Sequence, residues 1–452
     1  MVPAPPPDDR LAFIDQAAFL QLRATGPGKL GQISWIYTHD VDSDALRRFH
    51  ANLGHGLLGR RIERSPLPFG RHRWVASTGP ARPLDIDAVR PRAALSDWLD
   101  ERAELTVDPE RGPGWHLGML PMTDGSTALT LVASHCLADG VGILQTIADA
   151  AAGTPRDFGY APAQTRPARR GALEDLRRTV RDGPEYGRTV LAAARLALRR
   201  RHDIANSGSS RPPVAPGGPA DGTVVVPVVN AFVGTDEWDA AADARSGTTY
   251  SLLAGFSARL AERMGRMRSG PSGPGAVSLL IAMSDRTAED TRANAISLAH
   301  VDVDPAQATV DLSDVRAAIR RGLAELREVP DETFALLPLT PFVPRRAVRR
   351  TADLMFGDLP VSCSNVSDLD PMVARPDGTD AEYLLLRGVD QAVSRAHIER
   401  AGGHLVVVAG RVNGTVTIGV VGYQPGAPNT KDHLRAITAA TLAEFGLAGE
   451  FV

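Results

Sequence analysis

Cysteine is almost absent from this chain of 452 residues, with Cys136 and Cys363 the only two. That excludes a disulfide-built secreted scaffold and leads us to expect a reducing, cytoplasmic setting. Lysine is scarce as well, arginine supplying nearly all of the 50 basic residues; this reflects a GC-rich genome more than any mechanism. No apolar run reaches about 18 residues, so no transmembrane helix is expected. The stretch from Met1 to Asp9 is proline-rich and acidic and lacks the basic-then-apolar order of a signal peptide. An excess of one charge is missing too: a net charge of -3 does not fit nucleic acid as the main partner. The eleven histidines are scattered, without HExxH or cysteine-rich ligand spacing, and no metal site is expected.

What is present is an ordinary globular composition, 43% apolar and 23% charged. The length exceeds one typical core, which suggests two domains of roughly 200 residues each. Helical periodicity appears over 10–23, and over a segment capped by Asp42 or Ser43 whose Leu46, Phe49 and Leu53 share one face. A further helix is expected over 95–105. Strands are expected over 33–38, 57–62 and 73–77. The runs 115–122 and 128–134 flank Thr123-Asp124-Gly125-Ser126 and form a candidate hairpin.

Composition shifts between 153 and 222, where proline and glycine clusters flank a basic middle. From Arg166 to Arg201 eleven arginines face Glu174, Asp175, Asp182 and Glu185, a local charge near +7. We read 153–222 as a crossover linker between an N-terminal subdomain, 1–152, and a C-terminal one, 223–452. The linker holds two helices, 172–182 and 185–201, and an extended, mobile stretch over 204–222. Its charge suits an acidic carrier protein or an anionic membrane surface; a solvated crossover helix is the plainer reading. The second half repeats the alternation. Strands are expected over 224–229, 277–283, 295–303, 361–366, 382–387, 405–409 and 415–423, the last two joined at Asn413-Gly414. Helices are expected over 236–245, 249–266, 311–328, 342–356 and 431–444.

The most informative stretch runs from Leu129 to Gly142. A buried-strand run ends at His135, and a helical segment starts at about Ile143. A neutral imidazole at such a junction can take a proton from an attacking hydroxyl, amine or thiol. Asp139 is placed to hold the turn through backbone N–H groups or a distant arginine. Gly140 would allow a backbone angle or close approach that a Cβ blocks. A structural histidine is the alternative. Cys136 and Cys363 alternate with their polar neighbours and are read as packing residues.

His135-xxx-Asp139-Gly140 resembles the HHxxxDG motif of acyltransferases that share the fold of chloramphenicol acetyltransferase and nonribosomal peptide condensation domains. Within that superfamily the sequence is most similar to the bacterial wax ester synthase/diacylglycerol acyltransferase family. Pro113-Gly114-Trp115 resembles its Pro-Leu-Trp element, and Ser284-Asp285-Arg286 with Asn294 its strand-then-Arg and later Asn pattern. Ser364-Asn365-Val366 resembles the start of its Ser-Asn-Val-Pro-Gly-Pro element. These pieces cover roughly residues 10 to 445 in order. Two departures stand out: Ser134 replaces the first motif histidine, and Ser367-Asp368 replaces Pro-Gly. Asp157-Phe158-Gly159-Tyr160 imitates a DFGWG element that belongs near the C-terminus in other relatives, and is read as coincidence.

The resemblance implies an α/β fold of two chloramphenicol-acetyltransferase-like subdomains in a pseudo-dimer, with the active site in a tunnel between them. It also implies His135 as general base, acting on an alcohol or amine acceptor that attacks a thioester. The donor would be acyl-CoA or an acyl-carrier protein as co-substrate, with no bound cofactor. Asp139, Gly140 and Arg286 are expected to be structural at the site. Asn365, Ser364, Ser134 and Trp115 are candidates for the oxyanion or substrate. Three activities remain open: an O-acyltransferase making a lipid ester, a condensation-like natural-product enzyme, and a non-catalytic binding homologue.

Overall fold

The structure is a computed structural model and describes residues 8–26, 28–206, 222–270, 273–328, 335–343 and 361–452. In chain order its elements are α1 (Phe13–Thr25), β1 (Gly28–Tyr37), α2 (Ser43–Leu53), β2 (Arg60–Glu63), β3 (Arg73–Ala76), β4 (Asp85–Ile86) and α3 (Leu95–Glu104). Then come β5 (Trp115–Pro121), β6 (Thr127–Ser134), α4 (Gly140–Ala151), α5 (Ala168–Arg181) and α6 (Gly183–Asn206). The second half adds β7 (Val228–Gly234), α7 (Thr235–Asp243), α8 (Thr249–Arg263), β8 (Arg268–Gly270), β9 (Gly273–Ser284), β10 (Ile296–Val303), α9 (Pro305–Ala308) and α10 (Ser313–Glu328). It ends with β11 (Val361–Asp368), β12 (Tyr383–Gln391), α11 (Arg395–Arg400), β13 (His404–Val412), β14 (Thr415–Tyr423), α12 (Lys431–Glu444) and β15 (Glu450–Phe451).

Two sheets organise the molecule. One has the order β12-β1-β6-β5-β4, and the other runs β10-β9-β11-β13-β14-β7-β15 with β8 beside β9. Local chemistry explains much of this. The Asp42 carboxylate accepts the Asp44 and Ala45 N–H groups and starts α2. Asp311 likewise accepts the Ser313 N–H ahead of α10. The β5–β6 hairpin turns through Gly125, and β13–β14 turns through Asn413 and Gly414, all three at positive φ.

Two expectations are displaced. The valines at 224–226 precede the strand instead of opening it, because Pro227 has no N–H to give to a ladder, and β7 begins at Val228. The second concerns the partner of β12: this late strand pairs antiparallel with β1, Gly28 opposite Gln391 through Ile36 opposite Tyr383. The segment 223–452 therefore contributes to the sheet of the first half. There β12 passes close over β14. The Asn230 side-chain amide donates to the Leu386 carbonyl at 3.3 Å, and a Cβ at Gly419 would collide with that carbonyl oxygen. The helix expected over 342–356 lies almost wholly outside the described residues. So does most of 204–222, although Ile204 to Asn206 still belong to α6.

The linker helices dock on the first half through their acids. Asp175 accepts the Ser65 hydroxyl at 2.5 Å and pairs with Arg166 at 2.9 Å, while Asp182 pairs with Arg10 at 2.8 Å. In the opposite sense Arg178 reaches Asp9 at 2.7 Å.

Burial also sets a pH dependence. It pushes His72 and His116 down to about 4, neighbouring arginines adding to the effect, and it lowers His50 and His404 as well. Below the ordinary imidazole value of 6.5 the unfolded chain therefore binds protons that the folded chain refuses. Stability is lost as pH falls from about 6.5 towards 4, with a limiting slope of about 1.4 kcal/mol per pH unit for each such histidine. The melting temperature is expected to drop over this window, and His72→Leu to flatten the slope; a pH-independent melting temperature would contradict it.

Candidate active site

Strand β6 is buried along its whole length, and its polar side chains apart from Thr127 are hydrogen-bonded. Thr130, for instance, shares hydrogen bonds with Ser34 at 2.8 Å and Gln32 at 3.1 Å. The His135 N–H extends the ladder by one bond, to the Lys29 carbonyl at 2.9 Å. The chain then turns, with the Leu137 N–H donating to the Ser134 carbonyl at 2.9 Å. At Asp139 the helix α4 begins, and its carboxylate caps it by accepting the Gly142 N–H at 2.7 Å.

The Asp139 carboxylate is also the junction between the halves. Arg286, just beyond β9, donates to it twice, from Nε at 3.2 Å and from Nη2 at 2.8 Å, and the Ala295 N–H adds a bond at 2.8 Å. Both side chains are sealed from water, at 0% and 4% exposure. Nη2 of Arg286 reaches the Ala293 carbonyl at 2.8 Å and Nη1 the Arg292 carbonyl at 3.1 Å, so one guanidinium fixes its own loop and the His135 loop together.

The imidazole of His135 is half-buried and its Nδ1 lies 2.9 Å from Asn294 Oδ1. The amide orientation of Asn294 is set by Asp15 of α1. Asp15 Oδ1 accepts the Asn294 backbone N–H at 2.8 Å and its Nδ2 at 3.1 Å, while Oδ2 accepts the Ala293 N–H at 2.9 Å. With its NH2 turned to a carboxylate, Asn294 presents a carbonyl oxygen to His135. The ring must answer with Nδ1–H, which leaves the lone pair on Nε2. Burial lowers the His135 pKa, as does the charge of Lys29; the Asp139 charge and the Asn294 bond oppose them. The net direction favours the neutral ring near pH 7. Asp15 itself is pushed up by burial, against the pull of its N–H donors and of the Arg60 charge.

Arg60 is a third clamp. Stacked 3.7 Å over Trp74, it donates to the Leu137 carbonyl at 2.8 Å, to the Thr291 carbonyl and to the Tyr160 hydroxyl at 3.2 Å. The loops before Asp139 and before Asn294 are thereby joined again. Tyr160, the end of the DFGWG-like string, serves as its partner.

The other site candidates lie on β5, β6 and β11. Trp115 is buried in the first half, its indole N–H donated to the Leu58 carbonyl at 3.0 Å and its ring edge-to-face with His50. The Ser134 hydroxyl accepts the Cys136 N–H at 3.3 Å within the turn. Ser364 and Asn365 lie on β11, which runs parallel to β9 and β13. Asn365 Oδ1 accepts the Ser367 N–H at 2.9 Å, and Ser367 takes a left-handed φ of 61° as the register on β13 slips. Where the resembled family has Pro-Gly, a bend is thus still made. Val366 of the same strand packs in the first half and faces Gly140. Burial pushes Cys136 and Cys363 up to about 12, so neither is a thiolate.

The reason given for Gly140 does not hold in the structure. Gly140 has no positive φ, and a Cβ there would meet Val366 at an ordinary 3.7 Å. The demanding position is Gly142, where a Cβ would stand 2.8 Å from Leu57 Cδ1 and 3.1 Å from Arg286 Cζ. Gly142→Ala is expected to loosen the Asp139–Arg286 junction and cost about 1–3 kcal/mol. Gly140→Ala is expected to stay within about 0.5 kcal/mol. Chemical denaturation of both variants checks the contrast.

Three positioning residues escape a reading from the sequence: Asp15, Arg60 and Asn294 in its contact with His135. The one visible signal is an aspartate four residues before Phe19 on the buried face of α1.

No protein-family model matches the sequence, and no curated protein matches it. Solved structures do match along nearly the whole chain. A wax ester synthase/diacylglycerol acyltransferase from Marinobacter aquaeolei VT8 superposes with a TM-score of 0.54 at 14% identity, covering 97% of this chain and 98% of that one. The first condensation domain of the calcium-dependent antibiotic synthetase, in complex with substrate analogue 2a, gives 0.56 at 15% identity, covering 96% and 95%. The likeness is one of fold: the chain has the two-part α/β architecture of condensation and chloramphenicol-acetyltransferase-like domains.

Proposed function

We propose that the protein is an acyltransferase that moves an acyl group from a thioester, acyl-CoA or an acyl-carrier protein, to a hydroxyl of a lipid or small molecule. The observation that carries this reading is the chain Asp15–Asn294–His135, which leaves a bare Nε2 on a neutral imidazole at a strand end. Nε2 takes the proton of the acceptor hydroxyl as its oxygen bonds to the thioester carbon. The tetrahedral oxyanion is met by a donor such as the Asn365 NH2, whose carbonyl end already holds the Ser367 N–H. As the C–S bond breaks, the thiolate recovers the proton from the imidazolium, releasing ester and free thiol. Asp139, Arg286 and Arg60 position the loop and do not touch substrate.

A panel of acyl-CoA and acyl-carrier thioesters is offered with alcohols of increasing chain length, following thiol release and ester mass. Acceptor-dependent thiol release with matching ester is the expected result. Release from carrier thioesters alone would move the protein to the condensation-like reading. Absence of release with every pair would leave a binding homologue.

A further inference from the structure

We propose that helices α5 and α6 form a face on which the protein lies against an anionic lipid bilayer. Eleven large apolar side chains stand exposed among the described residues, and five of them are here: Leu173, Leu176, Val180, Val190 and Leu191, at 44% to 70% exposure. At 100° per residue, Leu176, Arg169, Val180, Leu173, Arg177 and Arg181 follow one another over an arc of about 140° on α5. The opposite side buries Gly171 and Asp175, the latter bonded to Ser65 and Arg166. The body of the protein therefore fixes the helix with the aliphatic and basic arc outward. On α6 the same chemistry continues, with Val190, Leu191, Arg195 and Arg188 within about 160° and Thr189 buried behind.

These arginines are not committed to carboxylates. Arg170 pairs with Glu174, but Arg169, Arg177, Arg181, Arg188 and Arg195 are exposed with no acidic partner among the described residues. The positive charge is local, since the chain as a whole carries -3. Aliphatic side chains interleaved with guanidinium groups along two successive helices fit a plane of phosphates over acyl chains. The aliphatic groups sit at the acyl boundary and the guanidinium groups bind phosphate oxygens. An acidic protein helix would satisfy the arginines but leave much of the aliphatic strip in water. No helix among the described residues is long and apolar enough to span a bilayer, so the contact is one of lying on the surface.

The full chain is tested by co-sedimentation with vesicles of phosphatidylcholine alone and with roughly one third phosphatidylglycerol. Binding at least about tenfold tighter to the anionic vesicles is expected, falling away at about 0.5 M salt. Leu173→Asp/Val180→Asp and Arg177→Glu/Arg181→Glu alter only exposed side chains. Each pair should reduce binding by about tenfold or more at an unchanged melting temperature. Equal binding to both vesicle types, no binding, or full binding by both double variants would overturn the proposal. Capture of an acidic acyl-carrier protein through Arg177 and Arg181 without vesicle binding would overturn it too, assigning the face to a protein. These outcomes are independent of thioester turnover in solution.

Discussion

His135→Ala is expected to lower kcat for thioester-dependent acyl transfer by about 10²–10⁴-fold, the usual contribution of a positioned general base. A relay of hydrogen bonds holds the ring. Asp15 fixes the amide of Asn294, Asn294 fixes the tautomer of His135, and the free lone pair lands on Nε2. Folding should hardly notice the loss. The side chain is half-buried and makes one hydrogen bond, worth about 1 kcal/mol. Thiol-release kinetics beside a thermal melt separate the two effects. Undiminished turnover in the folded variant would remove His135 from the chemistry.

Asp139→Ala is expected to cost about 3–5 kcal/mol of stability and most of the activity, because it strands a buried guanidinium. Four donors converge on that carboxylate: the Gly142 and Ala295 N–H groups and two nitrogens of Arg286. Removing it takes the cap from α4, the tie from β10 and the brace from the His135 loop together. Arg286→Met should cost less, since Asp139 keeps its two backbone donors. The double variant should be less destabilised than the sum of the singles, because neither charge is then left alone. Denaturation and turnover are expected to fall together across this set. A loss of rate at an unchanged melting point would instead assign Asp139 a direct part in the reaction.

How legible this was depended on whether a feature is local. The hairpins at Asp124-Gly125 and Asn413-Gly414, the Asp42 cap and the strand ending at His135 are written in neighbouring residues, and the structure has them. Asp139 called for a distant arginine and motif resemblance singled out Arg286; the two are 147 residues apart and bonded in the structure. Periodicity carries no such long-range information. Nothing in Tyr383 to Gln391 tells that this strand pairs with β1 rather than with its neighbours in sequence. Asp15 accepts three N–H groups from 293–294, nearly 280 residues away, and no local pattern in α1 signals them. Gly140 drew attention as a motif letter, whereas the space is tight at Gly142, two residues later. Trp115 matched a family element in sequence, yet its indole N–H faces Leu58 in the core.

The protonation of His135 itself is the most direct test. Two-dimensional NMR of ¹⁵N-histidine-labelled protein, assigned by the His135→Ala spectrum, reads which ring nitrogen carries the proton and at what pH the second one arrives. We predict the Nδ1–H form at neutral pH, with a midpoint below the ordinary imidazole value that coincides with the acid limb of kcat/KM. An Nε2–H ring, or a rate profile that ignores this titration, would contradict the assignment of His135 as the base.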